Sequence, residues 1–117
     1  RIFILDRSGF AEEIKEGLID RIYENVNVVA YNETHQDFFS EHLPSDFDIY
    51  FIHVGLTSEK AMMEIKEAKD KYLFIRPSTG SQSVDYADKI ADGVYTNDSP
   101  GRDIRELLDG IGVKRRW

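Results

Sequence analysis

The sequence predicts an α/β fold in which strands and helices alternate through five rounds around a parallel sheet, and three observations carry that prediction. Short apolar runs recur along the chain, each followed by a stretch with apolar residues at helical spacing, which is the pattern of βαβ units. The runs are mostly continuous rather than alternating, as suits strands covered on both faces. Length sets the scale, because 117 residues is close to the commonest size of one domain and too few for two ordinary cores.

The strands are expected at Ile2–Leu5, Val26–Tyr31, Ile49–Val54, Tyr72–Ile75 and Gly93–Thr96, all rich in Ile, Val, Phe and Tyr. After the first, Phe10, Ile14, Leu18 and Ile22 recur every four residues and place one apolar stripe on a helix that Ser8 would cap and Gly17 would weaken. The second helix is short: Thr34 to Asp37 resembles a capping box, and Pro44 closes the stretch after Phe38, Phe39 and Leu43. The third spans about Ser58 to Asp70, with Ala61, Ile65 and Ala68 facing inward and Glu59, Lys60, Glu64, Lys66 and Glu67 in water. A fourth, about Ser83 to Ala91, carries Val84, Ala87 and Ile90 after the turn-forming segment from Pro77 to Gly80. The last opens with Ser99 as N-cap and Pro100 in its first turn, buries Ile104, Leu107, Leu108 and Ile111, and ends near Gly110 and Gly112.

Right-handed crossovers fold these elements into a three-layer sandwich whose expected strand order is 2-1-3-4-5, as in flavodoxin-like folds. No repeat, low-complexity tract or linker divides the chain, so residues 1–117 form one domain, which can itself belong to a longer protein. The absence of cysteine excludes disulfides, thiolate metal sites and cysteine nucleophiles, and is compatible with a reducing, cytoplasmic setting. No apolar run reaches the roughly 20 residues of a membrane span. A formal charge of −7 argues against nucleic acid as a partner of this domain, since phosphate binding needs clustered Lys and Arg. Only the tail Lys114 to Trp117 is locally basic, and it reads as a solubilising end or a cut linker.

In such a sheet, ligands bind outside the carboxyl ends of the strands, at the crevice where strand order reverses. That rule selects Asp6, Arg7 and Ser8 after the first strand, His53 at the end of the third, Arg76, Ser78 and Thr79 after the fourth, and Asn97 after the fifth. Asp6 is either an ion ligand or a loop anchor for the amides of Ser8 and Gly9. Arg7 and Arg76 either hold an anion jointly or one of them pairs with Asp6. His53 is a general base, an acceptor or a ligand on one reading and a hydrogen-bonded structural residue on the other. His35 and His42 are expected to be exposed. The small residues from Ser78 to Ser81 suit either a phosphate-cradling loop or a plain turn.

The chain resembles the receiver domains of bacterial response regulators in the order and spacing of its elements over nearly its whole length. In the segment Ile2 to Asp6, Asp6 looks like one of the acidic residues that hold magnesium in that family, while Arg7 replaces the second carboxylate. His53 falls where the phosphorylated aspartate would stand, Ser78 or Thr79 near the family's hydroxyl residue, and Asn97 at its lysine. Tyr95 lies near the family's aromatic switch position. An aspartyl phosphate needs a carboxylate nucleophile, bound Mg²⁺ and a cation for the transferring group, so the resemblance implies a receiver that has lost its reaction. The expected function is therefore a signalling or regulatory module working through protein contacts, with a protein partner or as a homodimer, more a non-enzyme than an enzyme, with no catalytic residue, metal or cofactor. The alternative is a small-ligand or phosphate-binding flavodoxin-like domain, itself part of an enzyme, using Arg7, His53, Arg76 and the Ser78–Ser81 loop.

Overall fold

A computed structural model describes residues 1–78 and 81–117, with the backbone alone for 81–84. Five parallel strands, β1 (Ile2–Leu5), β2 (Val28–Tyr31), β3 (Ile49–His53), β4 (Tyr72–Arg76) and β5 (Gly93–Val94), form one sheet in the order β2-β1-β3-β4-β5. This is the flavodoxin-like arrangement. The helical elements are α1, an α-helical turn at Phe10–Glu12 continuing as a π-helix over Glu13–Asp20; α2, a 3₁₀ turn at Glu33–His35 running into Gln36–Phe39; α3 (Glu59–Glu67); α4 (Ser81–Ile90); and α5 (Pro100–Gly110).

Period-two alternation divides each strand between two cores. Ile2, Ile4, Ile49, Phe51 and Phe74 pack with Ile14, Ile19, Ile104 and Leu108 on the α1/α5 side. Phe3, Leu5, Tyr50, Ile52, Leu73 and Ile75 pack with Met62, Ile65, Ala87 and Ile90 on the other side. Phe3, fully buried, is the centre of the second core: the rings of Phe39 and Phe47 each lie 5.3 Å from its own, with Tyr31 at 5.6 Å and Tyr50 at 5.7 Å. Burying a side chain of that size stabilises the fold by about 1.5–3 kcal/mol.

Helix α1 departs from its predicted stripe for a geometric reason. A π-helix bonds i to i+5, so residues five apart share a face. Ile14 and Ile19 therefore enter the core together, while Leu18, placed there by the four-residue period, is only half-buried. The Lys15–Asp20 ion pair, 2.9 Å long, marks the same spacing on the outside. Ser8 does not cap this helix. Gly9 precedes it at φ +86°, a left-handed conformation natural to glycine, and its amide is met by the Glu12 carboxylate at 2.5 Å.

Other expectations change as well: β2 starts at Val28 rather than Val26, β3 ends at His53 rather than Val54, β4 extends to Arg76, α3 ends at Glu67 rather than near Asp70, and α4 spans Ser81–Ile90. The cap of the second helical element is Asn32, whose Oδ1 accepts from the Thr34 amide at 2.9 Å, rather than Thr34 itself. β5 stops at Val94 because the chain then turns so that the Thr96 amide and hydroxyl donate to Asp103 of α5 at 3.0 and 3.1 Å; Ser99 stands at the α5 N-cap without a side-chain cap bond. Gly93 opens β5 where a Cβ would come within 2.7 Å of the Phe74 ring. Finally, the basic tail is docked rather than a loose end: Arg115 bridges to Tyr23 in antiparallel fashion, the Arg116 amide donates to the Ile22 carbonyl at 2.8 Å, and Arg115 pairs with Asp109.

Among the described residues no helix is long and apolar enough to cross a membrane.

Candidate functional site

Register brings the predicted rim together. Leu5 lies beside Ile52, Ile52 beside Ile75, and His53 beside Arg76, so Asp6, His53 and Arg76 are the next row across β1, β3 and β4. Alternation points this row toward the α1/α5 side, because Ile4, Phe51 and Phe74 two residues earlier all face that core. All three are buried, with exposures of 0% for Asp6, 3% for His53 and 6% for Arg76.

A buried carboxylate must find donors, and Asp6 finds four. Its Oδ1 accepts from the Arg7 amide at 2.7 Å and from Nη2 of Arg76. Its Oδ2 accepts from Nε of Arg76 and from the Tyr95 hydroxyl, each at 2.9 Å. An ionised carboxylate offers about four lone-pair sites, so Asp6 is saturated by its own chain. Three of the five N–H donors of Arg76 are engaged in this network: besides the two on Asp6, Nη1 donates to Asn97 Oδ1 at 2.5 Å, and the guanidinium Cζ lies 4.3 Å over the Phe10 ring. Phe10 in turn stacks against Tyr95 at 6.3 Å, and Phe51 meets Tyr95 edge-on at 5.5 Å.

The electrostatics follow from this closure. Burial opposes the charge on Arg76, but the hydrogen bonds and charge of Asp6 outweigh it and hold the guanidinium pKa above its ordinary value. Burial, then the neighbouring Asp6 charge, pushes the Tyr95 phenol well above its usual range, so it remains a donor. His53 moves the other way. Burial depresses its pKa first and the Arg76 charge second, with Asp6 opposing and Arg7 adding to the depression. Its Nδ1 accepts the Gly55 amide at 3.0 Å, which in the neutral ring leaves the proton on Nε2.

Asp6 anchors the loop through Arg7 rather than through the amides of Ser8 and Gly9. Those go elsewhere: the Ser8 amide and hydroxyl both donate to Glu33 at 2.7 Å, and Gly9 is held by Glu12. Ser8 thus ties the β1 loop to α2 and is not among the pocket-lining residues. Of the two arginines, Arg76 makes the internal ion pair and Arg7 does not, so the two differ in role. Arg7, His53, Arg76, Pro77, Ser78 and Asn97 line an open pocket of about 280 Å³ at the strand ends. Thr79, Gly80 and the side chain of Ser81 lie outside the described residues, and with them the cradle reading of that loop.

Tyr95 and Phe10 are the site residues missed from sequence as partners of the ion pair. The signal for Tyr95 was a phenol at the end of an apolar strand, whose hydroxyl must be satisfied once buried. His42 is exposed and lies 3.4 Å from Glu64, whereas His35, expected to be exposed, is half-buried and edge-on to Tyr31 at 5.0 Å. Among the described residues no group of three or more His, Cys, Asp or Glu side chains is placed to hold a metal ion. No family model, curated protein or solved structure matches the chain.

Proposed function

We propose that this domain is a receiver-like regulatory module that works without aspartyl phosphorylation and acts through protein contacts. The observation that carries the reading is the saturation of Asp6. A divalent cation binding there would have to displace a bidentate guanidinium and a phenol from a carboxylate that is fully buried. Mg²⁺ prefers open carboxylates with retained waters, and this site offers neither. The residue level with Asp6 on β3 is His53, not a carboxylate, so no aspartyl nucleophile stands beside it. Arg76 supplies from within the charge that an active receiver would receive from its ion.

A surface for partners is available in Phe38 on α2, which is 78% exposed beside the half-buried Phe39. A cytoplasmic place of action accords with a cysteine-free chain.

The reading is tested in two arms. Incubation with acetyl phosphate and Mg²⁺ is expected to leave the intact mass unchanged, and Mg²⁺ alone to leave the Asp6 and Tyr95 resonances in place. A phosphoryl adduct on any rim residue, or Mg²⁺-dependent shifts there, would overturn it. Sedimentation velocity at rising concentration, with and without binding proteins recovered from the source cells, is expected to show association that Phe38→Glu weakens. A chain that stays monomeric and recovers no partner would remove the protein-contact half of the proposal.

A further inference from the structure

Most of the acceptors in the strand-end row are spent internally, while several of its donors are not. Asp6 uses both oxygens on Arg7, Arg76 and Tyr95. Asn97 gives Oδ1 to Arg76, and His53 gives Nδ1 to Gly55. What these same side chains have left is the Nδ2 amide of Asn97 and the Nε2–H of neutral His53. Both residues line the 280 Å³ pocket, and Arg7 stands beside them. The Arg7 guanidinium makes no ion pair or side-chain hydrogen bond among the described residues, and its five donors form a planar fork.

We propose that the pocket lined by Arg7, His53, Arg76, Ser78 and Asn97 binds a small phosphate-class oxyanion, either inorganic phosphate or a phosphomonoester. The inference is independent of the protein-contact reading.

Charge supports it. Within a chain of formal charge −7, the groups at this pocket are Arg7 and Arg76 against the single carboxylate Asp6, an excess of one positive charge. Glu33 feels the Arg7 charge but has both oxygens bonded to Ser8, and neither Glu33 nor Ser8 is a lining residue. Burial is the first cause of the depressed His53 pKa, and the charges of Arg76 and Arg7 add to it against the opposing charge of Asp6. Size admits the class. A water occupies about 30 Å³ of liquid, so the pocket has room for a phosphate and a small ester group beyond it. Arg7 can meet two oxygens of a phosphate while His53 and Asn97 meet a third, a geometry that a carboxylate with two oxygens satisfies less completely. Two of the lining side chains, His53 and Arg76, are more than nine-tenths buried, so the floor is built in advance and loses little freedom on binding.

The test is a titration of the whole chain, at constant ionic strength, with inorganic phosphate, glycerol phosphate and acetate, read by amide chemical shifts and by His53 Nε2. Saturable shifts confined to Arg7, His53, Asn97 and their neighbours are expected for the two phosphates, with acetate weaker. The phosphate that binds more tightly identifies the source. Removing one charge-assisted partner by Arg7→Ala should weaken binding about tenfold or more, and Arg7→Glu should abolish it. Arg7 is exposed, so neither variant threatens the fold; His53→Gln provides a second check on the buried side of the pocket. An adventitious ion only, meaning shifts that do not saturate, that centre on Lys114 to Arg116, or that persist in Arg7→Glu, would overturn the proposal. Equal binding of acetate would overturn the phosphate class.

Discussion

Two arginine–aspartate pairs in this molecule have the same chemistry and different surroundings. Arg76 grips Asp6 with two nitrogens at the strand ends, and Arg115 grips Asp109 with two nitrogens where the tail docks, at 3.1 and 2.5 Å. The first pair has side-chain exposures of 7% and 0%, the second 40% on both sides. Hydrogen-bond geometry alone would rank them as equals, and burial separates them. In water the attraction between two charges is small and is offset by the order it demands, whereas a buried partner left alone keeps the full cost of its lost hydration. The first pair therefore organises the rim, while the second trims the position of a tail.

That contrast can be broken or sharpened in four measurements. The largest effect is expected for Arg76→Ala, which leaves Asp6 buried without its cation and should cost about 3–5 kcal/mol in urea denaturation. Replacing both members by apolar residues of similar volume, Asp6→Leu with Arg76→Met, should recover much of that loss; a double variant as unstable as the single would show that the cost lies in packing rather than in the stranded charge.

Tyr95→Phe comes next. It removes one donor to the carboxylate but keeps the ring between Phe10 and Phe51, so a loss of about 1–3 kcal/mol is expected at neutral pH. An unchanged midpoint would mean that Arg76 and the Arg7 amide suffice for Asp6.

The third measurement uses pH. The folded pKa of His53 lies below its ordinary 6.5, so the unfolded chain takes up the proton first as pH falls. Stability should be constant above about 6.5 and decline as pH falls from there toward the folded pKa, by about 1.4 kcal/mol for each unit of separation. Denaturation at several pH values between about 5 and 7.5 should show that slope in the native sequence and lose it in His53→Gln. A slope that survives the substitution would assign the proton elsewhere. The smallest effect belongs to Arg115→Ala, for which the thermal midpoint is expected to stay within the scatter of repeat measurements. A drop comparable to that of Arg76→Ala would erase the distinction between the two pairs.

Much of the fold was legible because its signals are local. Ile2–Leu5 is a strand with the predicted bounds, and Ser58 caps α3 through a bond from the Ala61 amide to its hydroxyl at 3.2 Å. A four-residue apolar period is likewise a local count; it failed where α1 widens into a π-helix and exchanges Leu18 for Ile19, and it overstated the burial of Ala68, Leu107 and Ile111, which are half-buried. The rim was legible as a set of positions, because strand ends follow from strand assignment. Which charges meet there was not, since Asp6 and Arg76 are 70 residues apart and Asp6 and Tyr95 are 89. The sequence offered Arg7, the adjacent cation, as readily as Arg76.

By itself, then, the sequence determined the order and spacing of strands and helices, the covering of the strands on both faces and the row of residues at the strand ends. These depend on short-range periodicity and on backbone preferences that each segment carries alone. The tertiary structure decided the chemistry of that row. With β3 lying between β1 and β4, neighbouring strands being about 4.8 Å apart, the partner of Asp6 must reach across roughly twice that distance. Arg76, level with His53 and laid over Phe10, does so. Arg7, on the chain's exposed turn, contributes its amide to Asp6 and leaves its guanidinium at the pocket.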